Sequence, residues 1–173
     1  MVQKISERRS VDLSAYPDLI VIVLGMRVRT LSGLRTLMGF GPKIGRAGIA
    51  RPEGLLHCEN RIIFSFFPLH LGMRWYWKDF TSMETWARSE PHRVWWQQFL
   101  RDSGGTGFWH EAYFMRGGME AIYDDVGGAP IGFQAFAPHC PARGAMFTAR
   151  GRSKMAGEAP PAPAGVTESD LYP

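Results

Sequence analysis

The spacing of hydrophobic positions changes several times along this chain, and each change marks an element. Leu19 to Val28 (LIVIVLGMRV) is a nearly continuous, β-branched run, the pattern of a strand covered on both faces. From Leu31 to about Gly48 the spacing turns helical through Leu31, Leu34, Leu37 and Met38, while Gly39, Gly41 and Pro42 interrupt it. A helix broken or kinked near Gly41 and Pro42 is expected, restarting at Lys43. Leu55 to Phe66 and Leu71 to Lys78 read as the second and third strands, with Pro68 in the turn between them. In the third strand Trp75 and Trp77 share one face, and Arg74, Tyr76 and Lys78 the other. Thr81 or Ser82 can cap the next helix, which restarts at Ser89-Glu90-Pro91. His92, Trp95, Trp96 and Phe99 then share one helical face. Gly104, Gly105 and Gly107 end that helix, and Phe108 to Met115 is the fourth strand.

The resulting order, β-α-β-β-α-β, predicts an α+β fold of the ferredoxin-like type. Helices on one sheet face leave the other bare, so a second copy is expected to cover it as a homodimer, closing a dimeric α+β barrel. Residues 1–16 read as an extended N-terminal arm, residues 17–147 as the barrel domain with a C-terminal cover from Gly117 to Gly144, and residues 148–173 as a disordered tail. That tail (with EAPPAPAG) has too little apolar surface to offset the entropy of ordering.

Composition narrows the function classes. Aromatic residues make up 13% of the chain, enough to wall an apolar pocket. The net charge of +4 comes from scattered arginines rather than a cluster, which argues against a nucleic-acid partner. The Leu19–Met26 run is too short for a bilayer, which needs roughly 20 apolar residues, and no signal-peptide core follows the N-terminus, so no membrane association is expected. Cys58 and Cys140 lack metal-like spacing and read as free thiols of a cytoplasmic protein. No phosphate-binding glycine loop, dinucleotide fingerprint or nucleophile elbow is present.

Two histidines stand out. His110 lies mid-strand with Phe108, Ala112 and Phe114, while Trp109, Glu111 and Tyr113 point the other way. An imidazole among aromatic side chains is suited to proton exchange near neutral pH, although a core histidine bonded to a carbonyl would give the same pattern. His92 sits on the Trp95–Trp96–Phe99 stripe, where an axial haem ligand, a substrate contact and a packed structural histidine all fit. His57, Cys58 and Glu59 alternate along a strand and cannot all reach one metal, and His70, beside a turn, reads as solvated.

The segments SMETWARSEPHRVWWQQFLR, GFWHEAYFM and MEAIY, with the early LIVIVLGMRV, resemble small monooxygenase-like proteins of the dimeric α+β barrel superfamily, grouped with a fungal fumagillin-pathway monooxygenase. The likeness spans roughly residues 17–136. More distantly, a helix start followed by Pro, His and then a strand with His-Glu is similar to the C-terminal half of haem-containing aldoxime dehydratases. By that resemblance His92 would hold haem b iron and His110 would face the substrate, although those enzymes are about twice as long.

Three readings follow. One is a monooxygenase-like oxidoreductase acting on a small apolar substrate, with His110, Glu111 and Tyr113 as catalytic candidates and Trp75, Trp77, Trp96, Phe108 and Trp109 as pocket walls. Another is a haem enzyme, oxygenase or lyase, held through His92. The third is a non-catalytic ligand-binding dimer.

Overall fold

The computed structural model describes residues 8–115, 121, 123, 124, 130, 132–147 and 151, without the side chains of Leu100 and Asp124. In chain order the strands are β1 (Arg8–Val11), β2 (Ile20–Val28), β3 (Leu55–Phe66), β4 (Leu69–Trp77), β5 (Thr106–Phe114), β6 (Tyr123–Asp124) and β7 (His139–Pro141). The helices are α1 (Leu31–Ile49), α2 (Phe80–Arg88) and α3 (His92–Arg101). Two compact units result, Asp18–Phe114 on one hand and Met1–Pro17 with Met115–Pro173 on the other.

The Asp18–Phe114 unit runs β2-α1-β3-β4-α2-α3-β5, with an antiparallel sheet ordered β3-β4-β2-β5. This is the expected ferredoxin-like arrangement, its second helix split in two before Pro91. Central β2 pairs with β4 from Ile20↔Trp77 to Arg27↔His70 and with β5 from Ile20↔Phe114 to Val28↔Thr106. Side chains alternate along a strand, so this register aligns Ile20, Ile22, Leu24 and Met26 with Trp77, Trp75, Met73 and Leu71 of β4. On their other side stand Phe114, Ala112, His110 and Phe108 of β5. Ile20, Leu55, Met73, Trp75 and Trp77 are buried on that face, under Ile44 and Ala47 of α1 and Met83 and Trp86 of α2. Burying aliphatic side chains such as Ile20 and Leu55 stabilises the fold by about 1.5–3 kcal/mol each.

Helix α1 corrects one expectation, for it continues through Pro42 without a break. Proline deprives the carbonyl four residues earlier of its donor. Here that carbonyl belongs to the exposed Met38, where water can serve it. Meanwhile both halves of the helix are docked on the sheet. Leu37 is buried, Ile44 and Ala47 pack on the core, and Gly48 is so close to β4 that a Cβ there would lie 2.9 Å from Trp75 Cζ2. Tertiary packing thus overrides the local helix-breaking signal.

A second correction concerns α2. Its cap is Asp79, whose carboxylate accepts from the Ser82 N–H at 2.7 Å, and Thr81 and Ser82 lie inside the first turn. An anionic cap also interacts favourably with the helix dipole.

In the other unit β1 is the central strand of a sheet ordered β6-β1-β7. Arg9 pairs with Tyr123 on one side and Pro141 on the other, and the buried Ser10 donates to the Ala121 carbonyl at 2.9 Å. The stretch read as an extended arm therefore carries a strand whose partners lie far along the chain. Of the segment read as a cover, residues 117–120, 122, 125–129 and 131 lie outside the described residues, as does the segment read as a tail, apart from Gly151. Among the described residues no helix is long and apolar enough to cross a membrane.

Candidate functional site

Where α3 and α1 approach the sheet they leave a groove of about 60 Å³, lined by Leu24, Met26, Phe40, Ile44, Trp86, His92, Trp95, Trp96, Phe99 and Phe108. His92 is the only titratable side chain in this lining. It opens α3 directly after Pro91, and its Nδ1 lies 2.7 Å from the Ala87 carbonyl at the end of α2. A carbonyl can only accept, so Nδ1 carries the hydrogen and, in the neutral ring, Nε2 keeps its lone pair. The ring centroid lies 4.8 Å from that of Trp86. Burial pushes the His92 pKa below its usual value; the Ala87 bond opposes this, and the charge of His110 adds to the lowering. A neutral imidazole at neutral pH follows.

His110 stands on the same sheet face, paired across the strands with Leu24, its ring centroid 6.1 Å from that of Phe108. Leu24 and Phe108 both line the groove, so β5 sets His110 beside it, exposed to solvent. The helix histidine and the strand histidine therefore converge. One presents a lone pair in an apolar setting, and the other is exposed to solvent.

The remaining sequence candidates divide between locations. Trp96 and Phe108 line the groove. Trp75 and Trp77, each 1% exposed, lie in the core beneath, their rings packed against Trp86 at 5.0 and 5.5 Å. Strand alternation sends Trp109, Glu111 and Tyr113 to the opposite sheet face, as expected, so they do not share the groove with His110. There the Tyr113 hydroxyl donates to Glu111. Trp109 Nε1 donates to His70 Nε2 at 2.7 Å. His70 is thus half-buried and partnered rather than solvated, and burial, then Arg27, lowers its pKa.

Sequence reasoning passed over Phe40 and Ile44 as groove residues. Their i, i+4 spacing was the available signal, and it was masked by Gly39, Gly41 and Pro42. Among the described residues no cluster of three His, Cys, Asp or Glu side chains could hold a metal ion.

Comparison with known proteins agrees with this architecture. No curated protein sequence matches the chain significantly. An aldoxime dehydratase crystallised with butyraldoxime superposes with a TM-score of 0.55 at 24% identity, over 71% of this chain and 36% of that enzyme. A second aldoxime dehydratase gives 0.59 at 18% identity, over 78% and 39%. The chain thus spans well under half the length of these enzymes, and the likeness is one of fold. SnoaB, a cofactor-independent oxygenase from Streptomyces nogalater, matches with a TM-score of 0.42 at 15% identity, over 57% of this chain and 94% of SnoaB. The profile of one family, described as monooxygenase af470-like, matches residues 19–133, from the residue before β2 to beyond β6. The chain belongs to the monooxygenase af470-like family.

Proposed function

We propose that the protein is an oxidoreductase acting on a small apolar substrate in the α3–β5 groove, and that it holds haem there through His92 Nε2. The observation that carries this reading is the Nδ1–H bond from His92 to the Ala87 carbonyl, which fixes the tautomer and leaves Nε2 as the donor atom. A ligating histidine is commonly oriented in this way. The donor set fits haem: one neutral imidazole among Trp, Phe, Leu and Met side chains. For room, Leu24, Met26 and Ile44 also form a wall of a second cleft of about 390 Å³ on the other flank of α1, and displacement of Ile44 and Phe40 would join the two.

When bound, haem would supply the redox or substrate-activating chemistry. The chain's own side chains do the rest. The apolar lining excludes water, and His110, open to solvent beside the groove, takes up or delivers the substrate proton. Glu111 and Tyr113 act from the far side of β5, on its orientation rather than on substrate. A homodimer covers that far face, where Phe64 is exposed beside His70 and Trp109. The unbridged thiols Cys58 and Cys140 suit a reducing cytoplasm.

Two further readings share the site. A haem lyase would use the same His92 and His110 pair. A cofactor-free oxygenase would use His110 alone, as the base that generates a substrate anion; the small volume of the groove, about 60 Å³, favours this one. Titration with hemin tests the main reading: a Soret band saturating at one haem per chain is expected, retained in His110→Ala, which loses turnover. A protein that stays colourless with excess hemin sinks it in favour of the cofactor-free reading.

A further inference from the structure

The cleft of about 390 Å³ on the flank of α1 that faces β3 and β4 is larger than the histidine groove and chemically different. Its volume falls in the ~300–1,000 Å³ range of small-molecule sites. Leu37 and Met38 of α1 and Leu71 and Met73 of β4 contribute an apolar wall, and the methionines can adapt to a ligand's shape. Its only charged lining residues are Arg46 and Arg61, both exposed. Among the described residues neither forms an ion pair. Asn60, the one uncharged polar side chain in the lining, is already engaged, donating to the Gly45 carbonyl and accepting from Trp75 Nε1.

From this arrangement we propose that the α1 cleft is a binding site for a carboxylate carried on a bulky apolar body. The apolar part fills the space between α1 and β4, and the carboxylate meets the guanidinium groups of Arg46 and Arg61. The planar guanidinium fork matches a carboxylate, and two cations with no acid in the lining select against cationic ligands. A neutral apolar molecule would gain the wall and not the arginines. His92 is not among the residues that line this cleft, so the site does not depend on that side chain.

Such a carboxylate has two sources, a free amphipathic acid or the propionate groups of haem, and calorimetric titration of the full chain separates them. Decanoate is expected to bind at one per chain and to bind about tenfold or more weakly to the Arg46→Gln/Arg61→Gln double variant. Decanol should bind both proteins alike. Gly41 lines the same cleft, and a Cβ there meets nothing within 4 Å, so Gly41→Phe obstructs the space without disturbing the core. That variant should lose decanoate while keeping its far-UV spectrum and unfolding midpoint. If decanoate fails to bind and hemin affinity falls in the double variant, the carboxylate is a haem propionate and the site still stands. If neither ligand responds to the arginines, or folded Gly41→Phe binds both ligands like the parent, the proposal is overturned. His92→Gly separates the two claims: it should lose hemin and keep decanoate.

Discussion

One sheet in this protein carries two different surfaces. On the helix-covered face Trp75 and Trp77 are buried, His92 lines an apolar groove with His110 beside it, and Trp75 Nε1 and His92 Nδ1 have fixed partners. On the opposite face the same strands present Arg74 bound to Glu59 at 2.6 Å, Tyr113 bound to Glu111, and His70 bound to Trp109. That face carries its polar chemistry in side-chain pairs, and Tyr113 is 47% exposed. Neighbouring residues of one strand, Trp109, His110 and Glu111, therefore belong to different chemistries. Proximity in sequence on a strand separates functions as readily as it joins them.

The contrast is most open to challenge in stability. Trp75→Ala should cost about 3–5 kcal/mol, because it empties a packed core and leaves Asn60 Oδ1 without the indole N–H. Tyr113→Ala on the opposite face should change stability by less than about 0.5 kcal/mol. Urea unfolding of the two variants checks this, and comparable losses would mean that the faces are not as different as described.

The two sides of α1 make a smaller contrast of opposite sign. Gly48→Ala should destabilise by about 1–3 kcal/mol, since its Cβ would crowd Trp75 and lie 3.0 Å from Cys58 Sγ. Gly39→Ala, where a Cβ meets nothing, should stabilise by about 1 kcal/mol through helix propensity. Equal effects at both positions would refute the docking geometry of α1.

Asp79→Ala should cost about 1 kcal/mol by uncapping α2, the helix that holds the Ala87 carbonyl against His92. Hydrogen bonding to Ser82 lowers the Asp79 pKa from 3.8. Its contribution is therefore present above the unfolded value and fades as pH falls through the lower folded value. Acid unfolding of parent and variant should differ least at the lowest pH.

The smallest effect is on the pH dependence of stability near neutrality. His92 has a folded pKa below 6.5, so as pH drops below 6.5 the unfolded chain binds protons first and stability falls. His57 and His70, lowered mainly by burial, act with the same sign from the opposite face. His92→Gln should flatten this slope in part. An unchanged slope between pH 7.5 and 5 would contradict the burial of His92.

Much of this was legible from local pattern. The bounds of β3, Leu55–Phe66, agree with its hydrophobic run because Gly54 and Pro68 punctuate it at both ends. The face shared by His92, Trp95, Trp96 and Phe99, and the parity of His110, followed from periodicity alone. What stayed hidden depended on distance and depth. Continuity of α1 through Pro42 is decided by packing on β4, which no local window contains. Strand β1 is too short to read when its partners stand at Tyr123 and His139–Pro141. Trp75 and Trp77 carry the same aromatic signal as Trp96, and only the placement of Trp86 over them shows them to be core rather than wall. The Arg46 and Arg61 rim joins two elements whose side chains have no sequence relation.

The central claim is that His92 Nε2 would hold the haem iron within the apolar groove. The direct measurement is the absorption spectrum of the parent and of His92→Gly, each incubated with hemin and freed of the unbound excess, with and without imidazole present. The account predicts that the parent's Soret band is lost in the variant and returns when imidazole enters the vacated position. A variant whose spectrum matches the parent without imidazole would contradict it.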